Sequence, residues 1–370
     1  MAREDPTTDV SIVATRSTPL RRRAAPSARV VDASEDPGWA SLVNARRSDV
    51  FHSPSWIRAL RQTYGFDIVA HVLTDADGAP EAGFVFAAVD DVLGARSVSL
   101  PFSDFCDPLV DDVRQWKALA DAELERAAPF TVKVLFDEIA ERDPRLVERG
   151  RSHWHRADTT RDADELWNRL HPSARRAVRK SRSSGVRVRP AESLNDVRTF
   201  FNLHLRVRKV KYHLLAQPWA FFEALWDHFL RDGNGRLLLA EHDGTTISGV
   251  LFLRWKDTLY YKLNASLGEA LSLRPNDAVL WEGLQHAYAE GLTWLDFGVS
   301  ASDQEGLIRY KRKYATEERE VRVLRTEADS DHRADALRRV LPQITDLFVR
   351  PDVPDDVTRR AGDLLYRYFV

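Results

Sequence analysis

Residues 295–315, LDFGVSASDQEGLIRYKRKYA, join an apolar strand to a helix that carries Arg309, Lys311, Arg312 and Lys313. Ser302 and Glu305 have the spacing of a capping box, which predicts that the helix starts there. A strand end followed by a cationic helix is a place for negative charge, fixed or developing. The Asp296-Phe297-Gly298 triplet suggests a protein kinase. That reading needs a glycine-rich phosphate loop, a strand lysine and a His-Arg-Asp loop upstream, and the chain has none of these.

Working outward, Glu318 to Arg325 reads as a last strand and the rest as a helical extension. Before the quoted stretch come a helix from Asn276 to Glu290, ended by Gly291, and a strand from Thr293 to Phe297. Arg236–Glu241, Thr246–Trp255 and Leu259–Ala265 form a three-stranded meander, turning at Asp243-Gly244 and Lys256-Asp257. Helices from Leu194 to Tyr212 and Pro218 to Arg231 precede it, after a helical stretch from Asp164 to Ser184 interrupted at Pro172. The first half has a similar order. Pro37 to Gly65 reads as helix, with Ser53-Pro54 a good helix start. Strands at Phe66–Leu73 and Ala82–Val89 flank a hairpin turn, followed by a strand at Ser97–Phe102, a helix at Val113–Ala127 and a strand at Phe130–Phe136. This is a mixed α/β (α+β) order, not a doubly wound sheet.

The 370 residues favour two domains over one core. A net charge of −2 implies no general attraction to nucleic acid or anionic membrane, so any basic work is local. A single cysteine, Cys106, excludes an intramolecular disulfide. Apolar runs are strand-sized, well under the roughly 20 residues of a membrane span, so no membrane insertion is expected. The opening residues carry Arg21-Arg22-Arg23 with no apolar run behind them, which reads as a disordered tail, not a secretory signal. The expected location is the cytoplasm.

Six stretches, in order, carry a resemblance: FHSPSWIRALRQTYG, LPFSDFCDPL, ARRAVRKSRSSGVRV, FFNLHLRVRKVKY, the run from Thr258 to Ser300, and GLIRYKRKY. Over about residues 50 to 325 the chain resembles the Fem-type peptidyltransferases and related double-domain GNAT-like acyltransferases. The resemblance implies two GNAT-like domains packed together, at residues 29–158 and 159–328. The tail then covers residues 1–28, and the helical C-terminal extension residues 329–370. It implies an enzyme that moves an acyl group onto an amine. In the Fem branch the donor is an aminoacyl-tRNA and the acceptor a cell-wall (peptidoglycan) precursor; in other branches the donor is acyl-CoA. No separate cofactor or metal is expected, and oligomeric state stays open.

The resemblance also assigns residues. Tyr310-Lys311 matches the aromatic-lysine pair that meets the tRNA 3′ end, where a fixed cation lowers the barrier to oxyanion formation. The alternative for Lys311 is a solvated basic face. One aspartate of PFSDFCDPL, Asp104 or Asp107, falls near the acceptor amine, with Asp104 slightly favoured; turn chemistry is the plain alternative. Arg208 and Tyr212, four apart on one helix face, match residues that hold acceptor phosphate or sugar. Tyr261 stands where it could line the acceptor channel, or be a core tyrosine.

From Arg169 to Lys211 the chain places thirteen Lys and Arg against two acids, a concentration suited to tRNA. The loop Leu273-Arg274-Pro275-Asn276 lacks the glycine pair that binds CoA pyrophosphate, which weighs towards tRNA; Arg274 and Asn276 are kept as binding candidates, although Asn276 could only cap a helix. Cys106 reads as a buried side chain, and His204 as structural. A non-catalytic tRNA- or nucleotide-binding module is the remaining reading.

Overall fold

The computed structural model describes residues 28–126, 128–327 and 332–370. The tail expected over 1–28 lies, but for Ala28, outside them. Twelve strands form one sheet: β1 (Arg29–Asp32), β2 (Asp67–Thr74), β3 (Pro80–Val89), β4 (Arg96–Val98), β5 (Phe130–Val134) and β6 (Leu146–Asp158) from the first half. The second half supplies β7 (Arg187–Pro190), β8 (Gly235–His242), β9 (Thr245–Trp255), β10 (Thr258–Ser266), β11 (Trp294–Ala301) and β12 (Glu317–Thr326). The order across the sheet is β1-β2-β3-β4-β5-β12-β6-β11-β10-β9-β8-β7.

Each half builds an antiparallel meander that ends on a short parallel pair, β4 with β5 and β10 with β11. The halves then exchange strands. β6 pairs with β11, while β12 returns to lie between β5 and β6, aligned with β6 from Glu317 opposite Arg156 to Thr326 opposite Leu146. Neither central strand could stay with its own half without leaving ladder groups of the other half unpaired. Val321 and Leu324 of β12 are buried, each in a different core.

The largest core joins helices Pro37–Ala45 and Pro54–Tyr64 of the first half to Leu194–Tyr212 and Trp219–Leu225 of the second. Trp56 meets Phe221 edge to face at 5.9 Å across that junction. Helices Ala163–Arg169, Pro172–Ser183 and Pro275–Ala289 cover the other face of the second half, and Val113–Leu124 that of the first. The C-terminal extension is helical, at His332–Phe348 and Asp355–Leu365. It docks on helix Leu194–Tyr212 through Lys209 Nζ, 2.7 Å from Asp355, and Gly362 approaches Ala216 so closely that a Cβ would sit 2.6 Å from its carbonyl oxygen.

Three expectations change. The helix expected from Pro37 to Gly65 is two, because Asp49 and Ser53 cap fresh starts, Asp49 accepting from Phe51 N and Ser53 from Trp56 N. The capping box at Ser302 does not form. β11 continues to Ala301, which stays paired with Ser152, so Ser302 Oγ donates to Arg151 O instead and the helix starts at Glu305 behind Gln304. The strand β1, four residues at the sheet edge, carries no periodic signal and was not anticipated.

Because the exchanged strands give each half part of the other's ladder, urea should unfold the chain in one transition, seen alike by tryptophan fluorescence and far-ultraviolet dichroism. Two separated transitions would show that the exchange does not couple the halves.

Candidate active site

β10 and β11 run parallel only from Thr258–Tyr260 opposite Trp294–Asp296. Beyond that point β10 keeps to β9, while β11 bulges between Asp296 and Val299 and turns to β6. The strands part, and the DFG triplet lies where they part. Phe297 is buried in the core of the second half. Asp296 lies on the opposite face, 3% exposed, its Oδ1 accepting from Gly298 N at 2.6 Å and its Oδ2 from Trp154 Nε1 at 2.8 Å. Gly298 has φ +65, and a Cβ there would lie 2.5 Å from Asp104 Oδ2, so glycine is required both for the backbone and for the approach of Asp104.

Asp104 arrives from the first half. Its Oδ1 accepts from Lys262 Nζ at 3.0 Å, and that ammonium also donates to Phe102 O and lies over the rings of Phe51 and Trp56. Lys133 donates to Ser103 O beside it. Lys311, 5% exposed, comes from the other side on the short helix Glu305–Lys311, its Nζ donating to Gly298 O at 3.0 Å and Val299 O at 2.8 Å. Burial lowers the Lys311 pKa to about 8, against the pull of Asp104 and Asp296. Burial likewise raises Asp296 to about 7, opposed by the Gly298 and Trp154 hydrogen bonds.

The structure separates the two aspartates that the sequence left open. Asp104 stands with Lys311. Asp107 turns away, its Oδ1 accepting from the backbone N–H groups of Leu135, Phe136 and Asp137, each at 2.9 Å. Asp107 also lines an open cleft of about 970 Å³ between the halves, together with Trp154, Tyr260 and Asp296. Asp296 therefore faces this cleft while also lying close to Asp104 and Lys311.

Tyr310 sits 5.5 Å from Tyr314, ring to ring, and Tyr314 Oη donates to Asp277. Tyr261 packs on Phe252 where the strands part. Arg208 Nε donates to Leu215 O, and Tyr212 is exposed at the end of its helix under the Lys211 ammonium. Arg274, at φ +59, begins helix Pro275–Ala289 without a side-chain cap. Asn276 does not cap; its Oδ1 accepts from Ser248, Asn264 and Ser266, tying the helix start to the sheet.

Of the basic segment, Arg176, Arg179, Lys180 and Arg187 are exposed and make no ion pair with a described residue, whereas Arg189 and Lys209 are held by carboxylates. Cys106 is fully buried, and burial pushes its thiol up. His204 is buried against Gln217, which agrees with its structural reading. Among the described residues no helix is long and apolar enough to cross a membrane.

Sequence reasoning missed Asp296, Lys262 and Lys133. The signal was present for all three: Asp296 interrupts LDFGV, Lys262 interrupts LYYKLNA and Lys133 interrupts FTVKVLF, each a charge inside an otherwise apolar strand.

Residues 169–312 match the family of acetyltransferase (GNAT) domains. Among solved structures the fold is similar to FemX, at 16% identity and TM-score 0.64, over 80% of this chain and 96% of that one. It is similar to a tandem GNAT protein from the clavulanic acid biosynthesis pathway, at 13% identity and TM-score 0.51, over 82% of this chain and 100% of the other. L-PGS from Bacillus licheniformis is similar at 11% identity and TM-score 0.51, over 86% and 97% of the two chains. No curated protein matches the chain by sequence. The mixed α+β, double-GNAT architecture expected from the sequence stands.

The raised pKa of Asp296 fixes the sign of a stability effect. In the folded chain this carboxyl keeps its proton up to about pH 7, whereas an ordinary aspartate loses it near 3.8. The proton's stabilising contribution is complete below the unfolded value and is lost as pH rises through about 7. Between about pH 5 and about pH 7.5 the Tm of the Asp296→Asn variant should therefore fall less than that of the parent chain. Parallel curves would show that Asp296 is ionised throughout.

Proposed function

We propose that this double-GNAT acyltransferase forms an amide, moving an aminoacyl group from aminoacyl-tRNA to an amine of a small-molecule or envelope-precursor acceptor. The meeting of Lys311 and Asp104, delivered by different halves to the parting of β10 and β11, carries this reading. A lysine ammonium has three N–H donors. Gly298 O and Val299 O take two at Lys311, which leaves one for the acyl oxygen.

The acceptor amine attacks the ester carbon, a C–N bond forms, and charge develops on that oxygen beside the Lys311 ammonium. A donor so placed and desolvated contributes about 3 kcal/mol to such a step. The tetrahedral centre collapses with loss of the ribose oxygen, which takes up a proton from Asp296. Asp296, which lines the cleft, first takes that proton from the attacking nitrogen. Asp104, whose Oδ1 is already bound by Lys262, orients the amine and holds the field around Lys311.

Two features support tRNA as donor. Arg176, Arg179, Lys180 and Arg187 present exposed positive charge in the second half. The start of helix Pro275–Ala289 offers no glycine pair, and its Asn276 is committed inward. The GNAT match over residues 169–312 supports acyl-CoA as the second reading. Mixing the purified protein with charged tRNA or with acyl-CoA separates them. Binding of tRNA should weaken steeply with salt, and the triple change R176A/R179A/K180A should lower the slope of log K against log salt by about two. Calorimetric binding of CoA with no response to tRNA overturns the first reading.

The pKa values set the pH profile of the acyl-transfer step. Activity should rise as Asp296 ionises through about 7 and fall as Lys311 loses its proton through about 8. Asp296→Asn should remove the acidic limb and lower kcat by about 10². Lys311→Ala should lower kcat by about 10² to 10³ with donor binding retained. Unchanged turnover in Lys311→Ala removes that residue from the chemistry.

A further inference from the structure

The cleft contains a second group of charges that the acyl-transfer chemistry does not use. Phe136 lies at its wall, in the segment whose backbone Asp107 holds. The Arg47 guanidinium stacks on this ring at 3.4 Å, on the rim of the cleft, and makes no hydrogen bond or ion pair with a described residue. Arg156 and Arg319 also approach the ring, at 5.8 and 5.0 Å, but both are engaged by Glu317. Arg47 is thus an exposed planar cation, held in place by an aromatic face.

Beside it stand Asp107 and Asp137, both lining the cleft. Asp107 is 8% exposed, and its Oδ1 serves the three backbone N–H groups, yet its Oδ2 is buried and accepts nothing from the protein. Asp137 Oδ1 accepts from Ile139 N, and its Oδ2 is likewise buried without a partner. Two adjacent carboxylates, each with one buried oxygen unsatisfied, are costly unless a donor meets them. Burial, with Asp107 as a neighbouring charge, raises Asp137 to about 6, against the Ile139 hydrogen bond. Among the described residues no group of three His, Cys, Asp or Glu is placed to hold a metal ion.

A guanidinium without a partner among the described residues and a pair of unsatisfied carboxylate oxygens, all lining one cleft, are complementary to a carboxylate and an ammonium on one carbon. We propose that Arg47, Asp107 and Asp137 form a subsite of the cleft for the zwitterionic head of an amino acid. The guanidinium takes the α-carboxylate and the two unsatisfied oxygens take the α-ammonium. On the reading above, which this deepens, the head belongs to the acceptor, and a second amine on the same molecule is the one acylated. The two readings fail separately, because the subsite is tested by binding alone and Lys311 takes no part in it.

L-Lysine serves as the probe, titrated into the full-length protein by calorimetry, with cadaverine (no carboxylate) and hexanoate (no amine) as its two halves. L-Lysine should bind in the millimolar range or tighter, and at least tenfold more tightly than either half. Arg47→Ala, a change at the exposed rim that spares the core, and Asp137→Asn should each weaken it by at least tenfold, while Lys311→Ala leaves it unchanged. Asp107 is not altered, because it also holds the 135–137 backbone. Equal binding of all three probes, L-lysine binding insensitive to Arg47→Ala and Asp137→Asn, or no binding of L-lysine at millimolar concentration each overturns the subsite.

Discussion

The exchange of β6 and β12 is the constraint from which the rest follows. Each half ends its meander on a parallel pair, and a parallel pair leaves ladder groups open where its strands diverge. The halves fill those positions for each other, so their separation would expose backbone groups on two strands at once. The loop that carries Asp104 is thereby brought to the parting of β10 and β11, close enough that Gly298 has no room for a side chain. A site assembled from both halves depends on that weld.

The charges at the site are buried by the same closure. Lys311, Asp296, Lys262 and Asp104 lie within one small volume, and each alone would be costly to remove from water. They are tolerated because they are paired or bonded to backbone carbonyls and amides. Desolvation is what draws Lys311 and Asp296 from opposite ends of the scale into the range where both can respond near neutral pH. Asp104 is engaged by the Lys262 ammonium, whereas Asp296 is held by one amide and one indole.

Local chemistry made much of the architecture legible. Helix Leu194–Tyr212 was read from its periodicity at its observed ends, and the meander β8–β10 from apolar alternation around Asp243-Gly244 and Lys256-Asp257. The failures were also local. Asp49 offered a cap that, with the start read at Ser53-Pro54, divides one expected helix, and Ser302 offered a cap that strand pairing with β6 overrode. At the site, Lys311 and Asp104 were named from the resemblance. Asp296 was quoted as part of a triplet and set aside with the kinase reading, although an acid in an apolar strand was a signal in its own right.

What the sequence determined alone is the class of elements, their order and the cationic helix after β11, because these depend on periodicity, turn residues and charge within a few positions. What only the tertiary structure decided is which groups meet. The strand exchange links residues 146–158 to 294–301 and 317–326, sets Asp104 against Gly298 and leaves Asp107 with Asp137 and Arg47. Those meetings join positions far apart in the chain, and the burial that alters the titration of Lys311 and Asp296 exists only once the two halves have closed on each other.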